Sequence, residues 1–414
     1  MISFLFKKIK DSAVGFILFV IIYRLGLDYI YKDIISPVFG YANLNYNPDL
    51  DSQIISWIFL CVFTLLMLPF RKKEGYVVSS SMNLLFFLSF IPMTSYWYCK
   101  VQLLPFMIAC IIFWTLFLLL MLYQKVPNID YMIRPNRAFI WFITILLSVV
   151  VVYISGAYAH FRFNFSLENV YDLRSEARQF NMPIFLRYIW ASASNVLPIC
   201  MIYFLNSNYK KIAWLILIVI LLNFSINGVK STLFKMIVCL FLYYSFIKNY
   251  NQIIHILFVV IVLMAIAEFR FLGTIAISDV LIRRVFFIPN MLDGLFYDYI
   301  YTHGPTFFSR EGTNIAFSIG DIYFNDETMR CNNGLFTDAF INLGWIGVFL
   351  YPIIFSSFFK ICEAGFKGVK SQILFFACII LVITFRSSLF TTSLATHGIL
   401  LTCITLMFMP RTIK

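Results

Sequence analysis

Residues 252–272 read QIIHILFVVIVLMAIAEFRFL, an apolar run with no Asp, Glu, Lys or Arg before Glu268 and Arg270 at its end. A run of that length and hydropathy is a membrane-crossing helix. The chain then changes character from about 273 to 332. That stretch carries Arg283, Arg284, Asp293, Asp298, His303, Arg310, Glu311, Asp321, Asp326, Glu327 and Arg330, with Pro289 and Pro305 among them. A polar segment of this length held between two spans is the obvious place for chemistry or ligand recognition.

Working outward, apolar runs of similar kind recur along the whole chain. Spans are expected at about 12–30, 52–70, 78–97, 102–123, 138–157, 184–205, 210–226, 230–247, 252–272, 333–358, 372–385 and 388–409. The last two are short and share the polar interruption Arg386-Ser387-Ser388. They read as two tilted short helices joined by a tight turn, or as one re-entrant element. Of the 414 residues 61% are hydrophobic and only 13% charged, more apolar surface than one water-soluble core can hide. The 48 Phe and 24 Tyr do not alternate as they would in a transmembrane barrel. The expected fold is therefore all-α and polytopic, with about twelve transmembrane helices in one domain over residues 1–414. Two polar loops, at about 158–183 and 273–332, interrupt it.

The net charge of +12 does not point to nucleic acid, because the basic residues cluster beside apolar runs. Taken alternately, the short loops and ends hold Lys7/Lys8/Lys10, Arg71/Lys72/Lys73, Lys125/Arg134/Arg137, Lys210/Lys211, Lys248, Lys360/Lys367/Lys370 and Arg411/Lys414. The intervening set includes the acidic Asp33, Asp49 and Asp51 and both polar loops. The positive-inside rule then puts both termini in the cytoplasm and both polar loops outside. The basic N-terminus followed by an apolar run lacks a small-residue cleavage site and reads as a retained first helix.

Several side chains stand out as candidates for chemistry. Arg174 and Arg178 fall on one face if the segment around them is helical, able to grip a phosphate or pyrophosphate, or else to be laced to Asp172 and Glu176. Lys230, at an outer turn, suits an anionic headgroup or snorkels to the interface. Arg270, Arg283 and Arg284 put three charges ahead of the long loop; the Arg pair doubles as an interfacial anchor for the amphipathic segment 280–287. At the loop exit, Asn332 or Asn333 is placed to cap the next helix. Asp338 sits just inside the membrane with Asn342 one turn deeper, and Gly344 and Gly347 permit close packing. Arg386 breaks an otherwise apolar stretch. The four His show no paired spacing, so no metal site is expected. His303 is the best placed of them to act as a general base. Six of the nine Cys lie within apolar runs and read as small hydrophobic fillers, while Cys331 is left open between paired and free.

The layout, together with Asp172-Leu173-Arg174, Gly228-Val229-Lys230-Ser231, Arg283-Arg284-Val285-Phe286-Phe287 and Asn333-Gly334-Leu335-Phe336-Thr337-Asp338-Ala339-Phe340 followed by Asn342 and Gly344, resembles the Wzy-type O-antigen polymerases. The resemblance implies a fold like that of the lipid-donor (GT-C type) membrane glycosyltransferases, in the bacterial inner membrane. It implies transfer of a growing chain from undecaprenyl pyrophosphate onto a second lipid-linked repeat unit, in lipopolysaccharide or related surface-polysaccharide biosynthesis. Neither a cofactor nor a metal is implied. A flippase and a chain-length regulator are the expected partners, along with the bilayer and the lipid-linked donor and acceptor. Arg174, Arg178, Lys230, Arg270, Arg283, Arg284 and Arg386 would neutralise the pyrophosphate. Asp338 or His303 would accept the proton, with Asn333, Asn342 and Gly344 in support. The rival readings are a lipid-linked oligosaccharide flippase or transporter, an O-antigen ligase-like transferase, and a non-catalytic envelope assembly protein.

Overall fold

The computed structural model describes residues 12–71, 77–129, 135–162, 170–245, 250–309 and 311–411. The expected topology markers Lys7, Lys8, Lys10, Lys72, Lys73, Arg134, Lys248 and Lys414 lie outside the described residues, as do Arg310 and residues 163–169 of the smaller polar loop. Among the described residues the chain is helical with no strand; an isolated bridge pairs Asn47 with Lys100.

Nine of the described helices are long and apolar enough to cross a membrane. They are α1 (Ala13–Ala42), α2 (Leu50–Arg71), α3 (Val77–Cys99), α4 (Leu104–Tyr123), α5 (Arg137–Ala159), α7 (Ile184–Asn206), α8 (Lys210–Asn227), α10 (Asn251–Ala267, running on to Leu272) and α14 (Phe336–Gly365). The short α6 (Val170–Gln179) precedes α7. The three other expected spans are shorter: α9 (Lys230–Tyr244) has 15 residues and α15 (Ser371–Ser387) has 17. The stretch expected as one span over 388–409 is broken into α16 (Phe390–Ala395) and α17 (Ile399–Met407). The break falls at Gly398, whose φ of +71° suits glycine and carries the chain out of the helix.

α3 is the central helix, fully surrounded by others along its most apolar window. Its small polar residues serve as inter-helix ties: Ser80 Oγ donates to Asn251 Oδ1 at 2.9 Å, and Asn83 Nδ2 donates to Phe70 O at 3.1 Å. The outward faces of the peripheral helices stay apolar and exposed, as at Ile58 and Val62 on α2 and Phe142, Ile145 and Val149 on α5. Around α3, α10 packs on α1 and α14 runs along α4; α7 gathers α5, α8 and α9 into a second group.

The long polar stretch folds into helices of its own. Glu268 accepts hydrogen bonds from Ala276 N–H (2.7 Å), Ile277 N–H (2.8 Å) and Thr274 Oγ1 (2.8 Å), turning the chain sharply after α10. α11 (Ser278–Phe287), α12 (Ile288–His303) and α13 (Glu311–Phe324) follow. α11 buries Ile282, Phe286 and Phe287 while Val280 and Leu281 stay exposed. Leu335, not an asparagine, occupies the cap position of α14. Asn333 reaches sideways instead, donating from Nδ2 to Pro289 O and Asp293 Oδ1 and so tying the start of α14 to α12.

A candidate anion site at one end of the bundle

Where α7, α9 and α12 begin and α8 and α15 end, the helices splay around a cavity of about 960 Å³. Arg174 and Arg178 reach it from α6, Arg187 from the first turn of α7, Lys235 from α9, Arg283 from α11, and Arg330 from the turn after α13. Among the described residues no Asp or Glu lines it. Five guanidiniums and one ammonium therefore face a shared space whose described lining holds no carboxylate, which favours an anion over a neutral ligand.

Local contacts set how several of the cations are held. α6 is helical, so Arg174 and Arg178 do share a face. Its Glu176 pairs with Arg162, outside the cavity wall, rather than neutralising the helix's own arginines. Ser225 on α8 holds the Arg162 carbonyl at 2.6 Å, fixing that partner. Arg187 donates to Phe180 O at 2.9 Å and Lys235 to Asn195 Oδ1 at 2.6 Å, neutral partners that leave the charge uncompensated. Arg330 stacks over Phe317 at 5.7 Å. Arg283 is the exception, since it pairs with Asp279 one turn earlier and lies 4.1 Å from the Phe39 ring centroid.

The other expected site residues lie elsewhere. Lys230 is exposed and outside the wall, although its neighbours Val229 and Ser231 belong to it. Arg270 stacks on Tyr29 at 5.3 Å, and Arg284 is exposed and 3.8 Å from Asp279. Arg386 is buried beneath the cavity, donating to Phe286 O at 3.3 Å, while Thr384 and Ser387 of the same helix end form part of the wall. His303 stacks on Tyr299 at 4.2 Å, exposed and outside the wall. Asp338 is buried in a structural joint: Oδ2 accepts from Phe390 N–H at 2.6 Å, and Oδ1 accepts from Asn342 Nδ2 at 2.7 Å and Tyr351 Oη at 3.2 Å. Gly344 kinks α14 with φ +55° and ψ −132°.

A second buried acid is Asp293 on α12, which accepts from Thr337 Oγ1 at 2.5 Å and Asn333 Nδ2 at 3.0 Å. Burial pushes its carboxyl up to about 7, against the opposing pull of the Thr337 hydrogen bond and the Arg386 charge. The residues that sequence reading passed over are Arg187, Lys235, Arg330 and His397. Arg330 is only one charge among many in its loop, whereas Lys235 did carry a signal, as a lysine inside the expected span 230–247. Cys331, left open by the sequence, is a free thiol.

No protein-family model matches the chain, and no curated protein or solved structure matches it either.

Proposed function

We propose that this protein is a membrane glycosyltransferase that polymerises oligosaccharide repeat units carried on undecaprenyl pyrophosphate, at the outer face of the bacterial inner membrane. The observation that carries the reading is the cavity walled by Arg174, Arg178, Arg187, Arg283, Arg330 and Lys235 with no carboxylate in its described lining. Transfer from a lipid pyrophosphate leaves a dianionic group whose charge grows as the anomeric bond breaks. Fixed cations in a partly dehydrated site stabilise that charge more than they stabilise the bound donor. The cavity also has the other half of what a sugar donor needs. Trp190 lies on its wall beside Ser194, Asn195, Asn223 and Asn227, an aromatic face among hydrogen-bonding amides. The family likeness adds the twelve crossings, with α9, α15 and the α16–α17 pair completing the nine long helices, and a lipid-donor type of fold. The basic clusters beside the apolar runs in the sequence support a cavity end outside the membrane with both termini inside.

The test is deletion followed by analysis of lipid-linked glycan, then reconstitution of the purified protein with the accumulated units. Single repeat units that build up on the outer leaflet, and that the protein converts to polymer in liposomes, support the proposal. Units trapped on the inner leaflet indicate a flippase and overturn it.

A further inference from the structure

Among the described lining residues the charged groups are all cations, which bind a leaving group but give no obvious place for the proton of an attacking hydroxyl. Among the described lining residues, the one imidazole is His397. It occupies the break between α16 and α17, next to Gly398. That break is tightly seated: a side chain at Gly398 would meet the Ser192 backbone at 2.4 Å. The ring is oriented as well as placed, since Nε2 lies 2.9 Å from Ser388 Oγ, which also lines the cavity. In the tautomer with the proton on Nδ1, the serine donates and Nε2 is the acceptor. The backbone around the ring is tied to the cationic wall. Asn195 Nδ2 donates to His397 O at 2.7 Å, and Asn195 Oδ1 accepts from Lys235 at 2.6 Å.

We propose that His397 is the proton acceptor of this site, receiving on Nε2 the proton of the sugar hydroxyl that attacks the donor; the inference rests on the polymerase reading above. The hydroxyl oxygen forms its bond to the anomeric carbon as the bond from that carbon to the pyrophosphate oxygen breaks. The bonding pair leaves with the pyrophosphate, which the arginines hold, and the hydroxyl proton passes to the imidazole and on to water. The hydroxyl takes the position beside Nε2 that Ser388 Oγ occupies. The groups that face the ring suit this role. Lys235 on α9 and Arg330 on the turn before α14 bring positive charge, α7 presents the neutral Asn195 and Ser192, and the hinge itself brings no charge.

The experiment compares wild type with His397→Ala and His397→Gln in liposomes, supplied with single lipid-linked repeat units extracted from deletion cells. Inorganic pyrophosphate serves as the binding probe. The expected result is a loss of roughly 10²–10⁴-fold in single-turnover rate in both variants, the range for removal of a general base. Pyrophosphate affinity stays within about twofold of wild type, since the arginines are untouched. The wild-type rate falls on the acid side as the imidazole takes up a proton, and free imidazole restores part of the His397→Ala rate. Variants that keep the wild-type rate, or that lose rate and pyrophosphate binding together without imidazole rescue, overturn the assignment. If wild type itself makes no polymer under these conditions, the polymerase reading falls. If wild type and both variants polymerise alike, only the role of His397 falls.

Discussion

At the scale of single residues, Asp338 and Asp293 show how similar side chains near one helix start do different work. Asp338 joins α14 to α16 through the Phe390 N–H and holds Asn342 and Tyr351. Asp338→Asn keeps an acceptor for the Phe390 N–H and is expected to fold and turn over near the wild-type level. Asp338→Ala leaves several buried donors unpaired, at about 1–3 kcal/mol each, and is expected to lower the thermal midpoint clearly in detergent. A large rate loss in a stable Asp338→Asn protein would return Asp338 to the chemistry. Asp293 differs because its carboxyl is pushed up to about 7. Between the ordinary carboxyl value and that point, the folded chain keeps a proton that the unfolded chain has released. Its stability contribution therefore falls as pH rises through this window and levels off above it. Asp293→Asn removes the titration, so its midpoint is expected to decline less than that of wild type between pH 5 and pH 8; equal declines would refute this. The sequence made Asp338 legible as a buried acid because it stands at a span's start beside Asn342. It did not reveal the partner Phe390, which is 52 residues away and placed by tertiary packing.

At the scale of elements, one buried joint is an ion pair that sequence reading did not single out. Arg24 on α1 is fully buried and donates to Asp28 Oδ2 at 3.0 Å and to Thr94 O at 2.7 Å. Ser95 closes the other side of Asp28 at 2.5 Å, and the Trp57 ring lies 4.9 Å from the guanidinium. One pair thus ties α1 to α2 and α3. Removing a single partner strands the other charge in the bundle, at a cost of about 3–5 kcal/mol. Arg24→Met is expected to lose most folded protein, and Arg24→Met combined with Asp28→Leu is expected to recover much of it. Equal losses in the single and double variants would show that the pair is not what holds α1. The long apolar helices were legible because a span needs nothing but length and hydropathy. The break at Gly398 was not, since a short apolar stretch has the same composition whether it runs straight or bends.

At the scale of the whole molecule, the basic cavity is a product of assembly, with cations arriving from five separate parts of the chain between residues 174 and 330. Arg174 and Arg178 were legible as a pair by their spacing, and Arg283 by its charge. Arg187 was not, because nothing local separates it from an interfacial arginine at a helix start. Lys230, Arg270 and Arg284 looked equivalent in sequence but lie outside the wall. This partition makes a prediction that charge alone would not. Arg178→Lys, Arg187→Lys and Arg330→Lys keep the positive charge but lose the planar fork that grips two phosphate oxygens at once. A charge-assisted contact is worth about 1.5–3 kcal/mol, and each 1.4 kcal/mol is tenfold. Each wall variant is therefore expected to weaken pyrophosphate binding by roughly tenfold where one such contact is lost. Arg270→Lys and Arg284→Lys, whose guanidiniums stack on Tyr29 or face solvent beside Asp279, are expected to bind as wild type does. Titration of purified protein with inorganic pyrophosphate at fixed salt reads both groups on one scale. If the two groups weaken equally, or neither weakens, binding does not occur in this cavity.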